Sequence, residues 1–212
     1  MNNLENIALH DNSCEARILK KFENAGAYQS LFDKIDEMIA LGGVFTIAID
    51  GMCGSGKTFL SEILAEKYDC NIFHADSFFL QKHQRTAERL ALVGGNLDFE
   101  RLKEEILDKI SLEKSFSYRH FSCSELSLGN ETFVTPKNIN ILEGSYCQNP
   151  ILDFSFHLKV FLCTSSEKQE NRILKRNGFE KLQDYKKFWI PKENAYFEKY
   201  RVKENCDLII KT

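Results

Sequence analysis

Val44-Phe45-Thr46-Ile47-Ala48-Ile49-Asp50 runs without a break into Gly51-Met52-Cys53-Gly54-Ser55-Gly56-Lys57-Thr58. The first seven residues form an apolar, β-branched run, the profile of a buried parallel strand. The next eight fit G-x-x-x-x-G-K-[ST], a loop that cradles phosphate. Phe59 to Tyr68 follows with Leu60, Ile63, Leu64 and Tyr68 on helical spacing. A phosphate needs inward-pointing backbone N–H groups and the positive end of a helix dipole. Glycines at 51, 54 and 56 let the backbone approach that closely, because no Cβ intervenes. Met52, Cys53 and Ser55 fill the variable positions of the loop. Lys57 is expected to reach the β- and γ-phosphates, and the Thr58 hydroxyl to ligate Mg²⁺. The alternative, a chance glycine turn, is disfavoured by Lys57-Thr58 at the right offset and by the flanks.

The 212 residues suit one α/β domain with a small lid or insertion. A net charge of −3, with basic residues dispersed among acidic ones, gives no argument for a nucleic-acid or membrane partner. No apolar run approaches the roughly 20 residues that span a bilayer. The polar, acidic start Met1-Asn2-Asn3-Leu4-Glu5 is unlike a secretory signal. Seven cysteines, an odd number without a Cys-x-x-Cys pair, argue against a zinc site and a disulfide framework. A reducing cytoplasm is the expected compartment. Cys53 lies in the phosphate loop near a helix N-terminus, where a lowered pKa and reactivity are one reading. A tolerated variable position is the favoured one.

Residues 1–25 read as an extension with little functional content. Leu31, Ile35, Met38 and Ile39 make one helix face, stopped by Gly42-Gly43. Asn71 to Asp76 is a short strand with a polar end. Asp76 falls beside the phosphate loop if this strand neighbours the first, since ligands of open α/β sheets gather at strand C-termini. Ser77-Phe78-Phe79-Leu80 continues as a loop with exposed aromatics, and Gln81 to Arg89 as a surface segment. Asp98 is the candidate N-cap of a helix burying Phe99, Leu102, Ile106, Leu107 and Ile110. Residues 115–136 read as a small β insertion, with Gly129-Asn130 as the turn of its hairpin. Asn138 to Leu142 is a buried strand ending in Glu143-Gly144, and Phe156 to Cys163 another. Thr164 caps a helix carrying Arg172 and Arg176, in a lid spanning about 165–185. Pro191 interrupts the last helical region or starts a turn, and Cys206 to Ile210 closes the chain as a strand. The alternation predicts a single α/β domain with a P-loop NTPase fold. Its core is a doubly wound, mostly parallel five-stranded sheet flanked by helices, with a β-hairpin insertion and a helical lid.

The phosphate loop alone specifies nucleoside triphosphate binding, and the other strand ends decide the class. The guanine-reading Asn-Lys-x-Asp of GTPases and the Leu-Ser-Gly-Gly-Gln-like stretch of transport ATPases are both absent. Asp76 is a carboxylate after the second strand, able to accept a proton from a substrate hydroxyl. Glu143 ends a later strand, where it can hold Mg²⁺ or its water shell. Arg172 and Arg176, four apart on one helix face, can close over a transferring phosphoryl group. The plain alternatives are that the carboxylates only cap backbone groups and that the arginines form a solvated face.

These stretches together resemble the uridine kinase-like group of P-loop nucleoside kinases, related to phosphoribulokinase and pantothenate kinase. The resemblance rests on Ile49-Asp50-Gly51 with Gly54 to Thr58, Asp76-Ser77-Phe78-Phe79, Gly95 to Phe99, Ile141-Leu142-Glu143-Gly144, Arg172 to Arg176, and Cys206 to Ile210. It covers most of residues 44–210. It implies ATP and Mg²⁺ as cofactors and transfer of the γ-phosphate to the 5′-hydroxyl of uridine or cytidine. It further implies that Asp76 is base or hydroxyl anchor and that Asp98 binds ribose hydroxyls. Tyr118, with Arg119 beside it, lines the acceptor pocket, and Arg172 and Arg176 are lid arginines. The partner is then a small-molecule phosphate acceptor, with a homo-oligomer left open.

The departures fall on the acceptor side. The family's Tyr-Asp-Phe followed by His is here Tyr118-Arg119-His120-Phe121-Ser122-Cys123, with Cys123 near the position of the His. Gln169 and Ile173 stand where further arginines are usual, and Asn177-Gly178-Phe179-Glu180-Lys181 replaces an Arg-Gly-Arg-like stretch. Two readings therefore stand beside a uridine kinase: a kinase of a non-nucleoside alcohol, sugar or pantothenate-like, and a non-catalytic ATP-binding regulatory module.

Overall fold

A computed structural model describes residues 26–212; the expected N-terminal extension, 1–25, lies outside the described residues. Helix α1 covers 26–41 and leads through Gly42-Gly43 into β1, Phe45–Gly51. The phosphate loop follows, and α2 spans Lys57–Lys67. Then come β2, Cys70–His74, and a 3₁₀ turn, Ala75–Phe78. Residues 81–89, expected as a surface segment, hold a 3₁₀ turn at Lys82–Gln84 and most of the short helix α3, Ala87–Ala91.

Five strands form one sheet in the order β2-β5-β1-β6-β7. Here β5 is Ile139–Glu143, β6 is Leu158–Cys163 and β7 is Leu208–Lys211. All pairings are parallel, which makes the sheet fully parallel rather than mostly so. β2 does not neighbour β1: β5 lies between them, and Glu143 is in register with both Ile49 and His74. The strand-end groups of β2, β5 and β1 therefore arrive side by side at the C-terminal edge, as open α/β sheets require.

Alternation along the strands sends apolar side chains to both faces. Ile47, Ile49, Ile141 and Val160 pack with Leu60 and Leu64 of α2 and with Leu31 and Ile35 of α1. Ala48, Leu142, Phe73 and Phe161 face the other way, toward Leu102, Ile106 and Tyr196. Each large side chain withdrawn from water contributes ~1.5–3 kcal/mol. The second layer is the helical run α4, Phe99–Leu102, a π-helical turn, Lys103–Leu107, and α5, Asp108–Ile110, together with α8, Ile190–Tyr200. Asp98 caps α4, its Oδ1 accepting Arg101 N–H at 3.0 Å, and the five expected apolar positions of this run are buried.

The insertion is a two-stranded antiparallel hairpin, β3 Phe116–Ser122 and β4 Ser127–Val134. Its turn lies at residues 123–126, not at Gly129-Asn130, which are inside β4. A register shift between Arg119 and Phe121 displaces the pairing, and Leu126 supplies the left-handed turn residue at φ 53°. Phe78 is fully buried instead of exposed: Tyr118 stacks on its ring at 5.8 Å and the Arg101 guanidinium lies over it at 4.3 Å. The segment expected as a lid holds α6, Ser166–Asn177, α7, Phe179–Asp184, and the start of a π-helical turn, Tyr185–Trp189. Ser165 rather than Thr164 caps α6, and Pro191 lies in the first turn of α8. Among the described residues no helix is long and apolar enough to cross a membrane.

Candidate active site

A cavity of about 600 Å³ opens at the C-terminal edge of the sheet. The phosphate loop forms its floor, with Cys53, Gly54, Gly56, Lys57 and Thr58 in its lining. Gly51, at φ 138°, makes the closest approach: a Cβ there would lie 2.0 Å from the Leu162 carbonyl oxygen. The neighbouring strand alone thus demands a glycine at the first position of the motif.

Lys57 is buried, and its ammonium donates to the carbonyls of Gly51 at 2.7 Å and Met52 at 3.1 Å. Thr58 Oγ1 donates to Glu143 Oε1 at 3.3 Å. The two groups expected at the metal thus face each other as hard oxygen donors, the chemistry Mg²⁺ takes alongside phosphate oxygens and water. Glu143 Oε1 also meets His74 Nδ1 at 2.5 Å, and that carboxylate is the main reason the imidazole is shifted toward its protonated form. Asp76 lines the cavity across from Lys57. Burial raises its carboxyl pKa, Lys57 opposes the shift, and the Glu143 and Glu193 carboxylates add to it. Asp50, fully buried behind the loop, accepts from Gly51 N–H at 2.7 Å, Tyr196 Oη at 2.8 Å and Gln148 N–H at 3.1 Å.

Helix α6 braces the loop. Gln169 donates to the Cys53 carbonyl at 2.9 Å; Arg172 donates to the Gly54 and Ser55 carbonyls at 3.1 and 3.4 Å. Arg176 is exposed, donates to Asn177 Oδ1 at 2.8 Å and lines the cavity together with Lys181. Burial, reinforced by Glu193, pushes the Cys53 thiol up to about 12, so it is not an activated thiolate. The six described cysteines are all free.

The geometry brings together Lys57, Thr58, Asp76, Glu143, Arg172 and Arg176 around one cavity. Three residues expected on the acceptor side are not in that lining. Asp98 is buried, one oxygen on the Arg101 amide and the other accepting from Gln84 at 2.7 Å. Tyr118 is buried between Phe73 and Phe78. Arg119 is exposed, and its carbonyl accepts from Arg101 at 2.7 Å.

Sequence reading passed over Ser145, Tyr146, Lys181 and Glu193. The Glu193 carboxylate is buried at the cavity wall and accepts from Cys53 N–H at 2.8 Å and from the Ser145 hydroxyl at 2.6 Å. A signal was present: Glu193 shares a helix face with Trp189 and Tyr196, an acid within an aromatic stripe. Ser145 and Tyr146 follow a strand end directly, where ligand-facing groups concentrate.

No protein-family model matches the chain. It is 22% identical over 132 residues to shikimate kinases of Caldicellulosiruptor bescii and Caldicellulosiruptor saccharolyticus, covering 62% of this chain and 70% of each relative. Among solved structures it resembles a possible uridine kinase from Bacillus stearothermophilus at 18% identity and a TM-score of 0.56, over 85% of this chain and 99% of that one. It also resembles a candidate fructose transport system kinase from Silicibacter sp. TM1040 at 18% identity and a TM-score of 0.60, over 79% and 89% of the two chains. The chain has the α/β P-loop fold that these structures share.

Proposed function

We propose that the protein is an ATP-dependent phosphotransferase that moves the γ-phosphate to a hydroxyl of a small metabolite, with the 5′-hydroxyl of uridine or cytidine as the first acceptor to test. The observation that carries this reading is one cavity lined by both a phosphate loop with its lysine and a free carboxylate, Asp76. Nucleotide binding alone requires only the former. The names of the similar proteins, all kinases, support the same class.

The loop amides and Lys57 hold the phosphates once the ammonium leaves the Gly51 and Met52 carbonyls. Thr58 and Glu143 would hold Mg²⁺, which when bound supplies charge neutralisation at the phosphate oxygens. Asp76 orients the acceptor hydroxyl and takes its proton, a role its raised pKa suits. Arg176 and Lys181 offset the charge spreading over the transferred group. Arg172 acts on the loop backbone and holds its curvature. Asp98 and Tyr118 support the acceptor wall indirectly, through the cap of α4 and the packing on Phe78.

A second reading, a non-nucleoside polyol as acceptor, is favoured by one observation: the ring expected to receive a nucleobase is packed against Phe73 and Phe78. Incubation with ATP·Mg²⁺ and single acceptors, read by ADP release, separates the two. Selective turnover of uridine or cytidine supports the first. Turnover of fructose or shikimate without uridine supports the second, and ATP binding without any turnover leaves only a nucleotide-binding module.

A further inference from the structure

Tyr146 lies three residues beyond the end of β5. Its backbone is left-handed, φ 73°, a region unfavourable for a bulky side chain. Such strain persists where surrounding structure imposes it, and it concentrates at ligand sites. The residue is 3% exposed, yet its hydroxyl has no hydrogen-bond partner. A buried polar group left unpaired costs free energy that a phenylalanine would not incur.

The ring itself is well held. It meets Tyr196 edge-on with centroids 4.9 Å apart, and a Cβ on Gly94 would lie 3.2 Å from its Cδ1. Nothing in that packing uses the oxygen. The residue lines the cavity that also contains Asp76, Phe79 and Asn96. Glu193, Asp50 and Asp76 lie near enough for their charges to act on the phenol. A substrate hydroxyl can both donate to and accept from a phenol.

We propose that Tyr146 is a specificity-determining residue of the acceptor site, its hydroxyl bonding a second hydroxyl of a polyhydroxylated acceptor whose reacting hydroxyl lies at Asp76. The assignment rests on the phosphotransfer reading above and adds a recognition contact that neither the motif nor the fold contains. The missing partner of a buried polar atom is then the substrate, and its pairing favours acceptors that carry the matching hydroxyl.

Y146F removes one oxygen and keeps the ring. Wild type and variant are compared in three measurements: urea unfolding without ligand, ATP affinity, and turnover of uridine, fructose and shikimate with ATP·Mg²⁺. The expected result is a urea midpoint at or above wild type, ATP affinity within twofold, and at least a tenfold loss of kcat/KM for the best acceptor, carried mainly by KM. A lower urea midpoint would assign the hydroxyl to the protein's own structure and overturn the proposal, as would unchanged kcat/KM. Wild-type protein that binds ATP but neither turns over nor is thermally stabilised by any of the three also overturns it. Failure of wild type to bind ATP would instead remove the phosphotransfer reading, and this inference with it.

Discussion

The Glu193 carboxylate holds the amide of Cys53: its Oε2 accepts that N–H at 2.8 Å across 140 positions of the chain. Its other oxygen takes the Ser145 hydroxyl at 2.6 Å, and Ser145 lies 3.4 Å from the Lys57 ammonium. A negative group thus occupies one backbone donor of the phosphate loop. The helix that follows the lid is thereby tied to the loop itself.

The first prediction concerns that carboxylate. A terminal phosphate approaching Lys57 meets Glu193 as a like charge. E193Q keeps the shape and an acceptor oxygen but removes the charge. The ratio of ATP to ADP affinity, measured by calorimetry, should rise about tenfold, the equivalent of about 1.4 kcal/mol. An unchanged ratio would place the terminal phosphate away from Glu193.

Asp76 is tested by D76N. Loss of a general base lowers turnover by about 10²–10⁴-fold, while ATP affinity should stay within about twofold, because the P-loop is untouched. The raised pKa of Asp76 adds a pH signature. Wild-type kcat/KM should fall on acidification through a pKa above the ordinary carboxylate range, and D76N should lack that limb. Near-wild-type turnover in the variant would remove Asp76 from the base role.

Asp50 links the site to stability. Burial pushes its carboxyl up to about 6, with Lys57 opposing, against about 3.9 for a free aspartate. The folded protein holds this proton more tightly than the unfolded chain. The cost of the buried charge is therefore fully present above pH 6 and is relieved as pH falls from about 6 to about 4. The difference corresponds to about 3 kcal/mol. Wild-type unfolding free energy, measured in urea, should gain from this source between pH 7 and pH 5, and D50N should lack the gain. Parallel pH profiles for the two proteins would contradict it.

Two glycines of the motif should respond differently to alanine. In G51A the new Cβ would strike the Leu162 backbone at φ 138°, with no flexible side chain to yield. A loss above about 4 kcal/mol, or failure to fold, is expected. In G56A, at φ 96°, nothing lies within 4 Å of the new atom. Only the backbone conformation is strained there, for about 1–3 kcal/mol. Equal losses in urea would mean that sheet contact does not set the requirement at Gly51.

Much of the fold was legible because its signals are local. The run Phe45 to Gly51, the loop to Thr58, and the apolar spacing of Phe99, Leu102, Ile106 and Ile110 each declare themselves within one element. So do the strand-end carboxylates Asp76 and Glu143, since strand direction alone takes them to the C-terminal edge of the sheet. The Asp98 cap was also legible, from one polar residue ahead of a periodic run.

What the chain could not declare is which distant groups meet. Gly129-Asn130 reads as a turn by composition, but hairpin register is decided by the bulge at Arg119 and by packing of Tyr118 on Phe78. The ring of Tyr118 sits in the core because Phe73 and Phe78 offer an apolar slot for it, and no spacing encodes that. The order β2-β5-β1, which sets His74 against Glu143, depends on pairings between strands far apart in the chain. Arg172 reads as a lid cation; in the structure it lines the cavity and also bonds the Gly54 and Ser55 carbonyls, contacts that exist only when α6 docks on the loop. The sequence by itself determined the phosphate cradle and the sheet, because both are written in contiguous residues. Tertiary structure alone decided the surroundings of Glu193 and Tyr146, because the groups that bury them and that bond Glu193 come from distant parts of the chain.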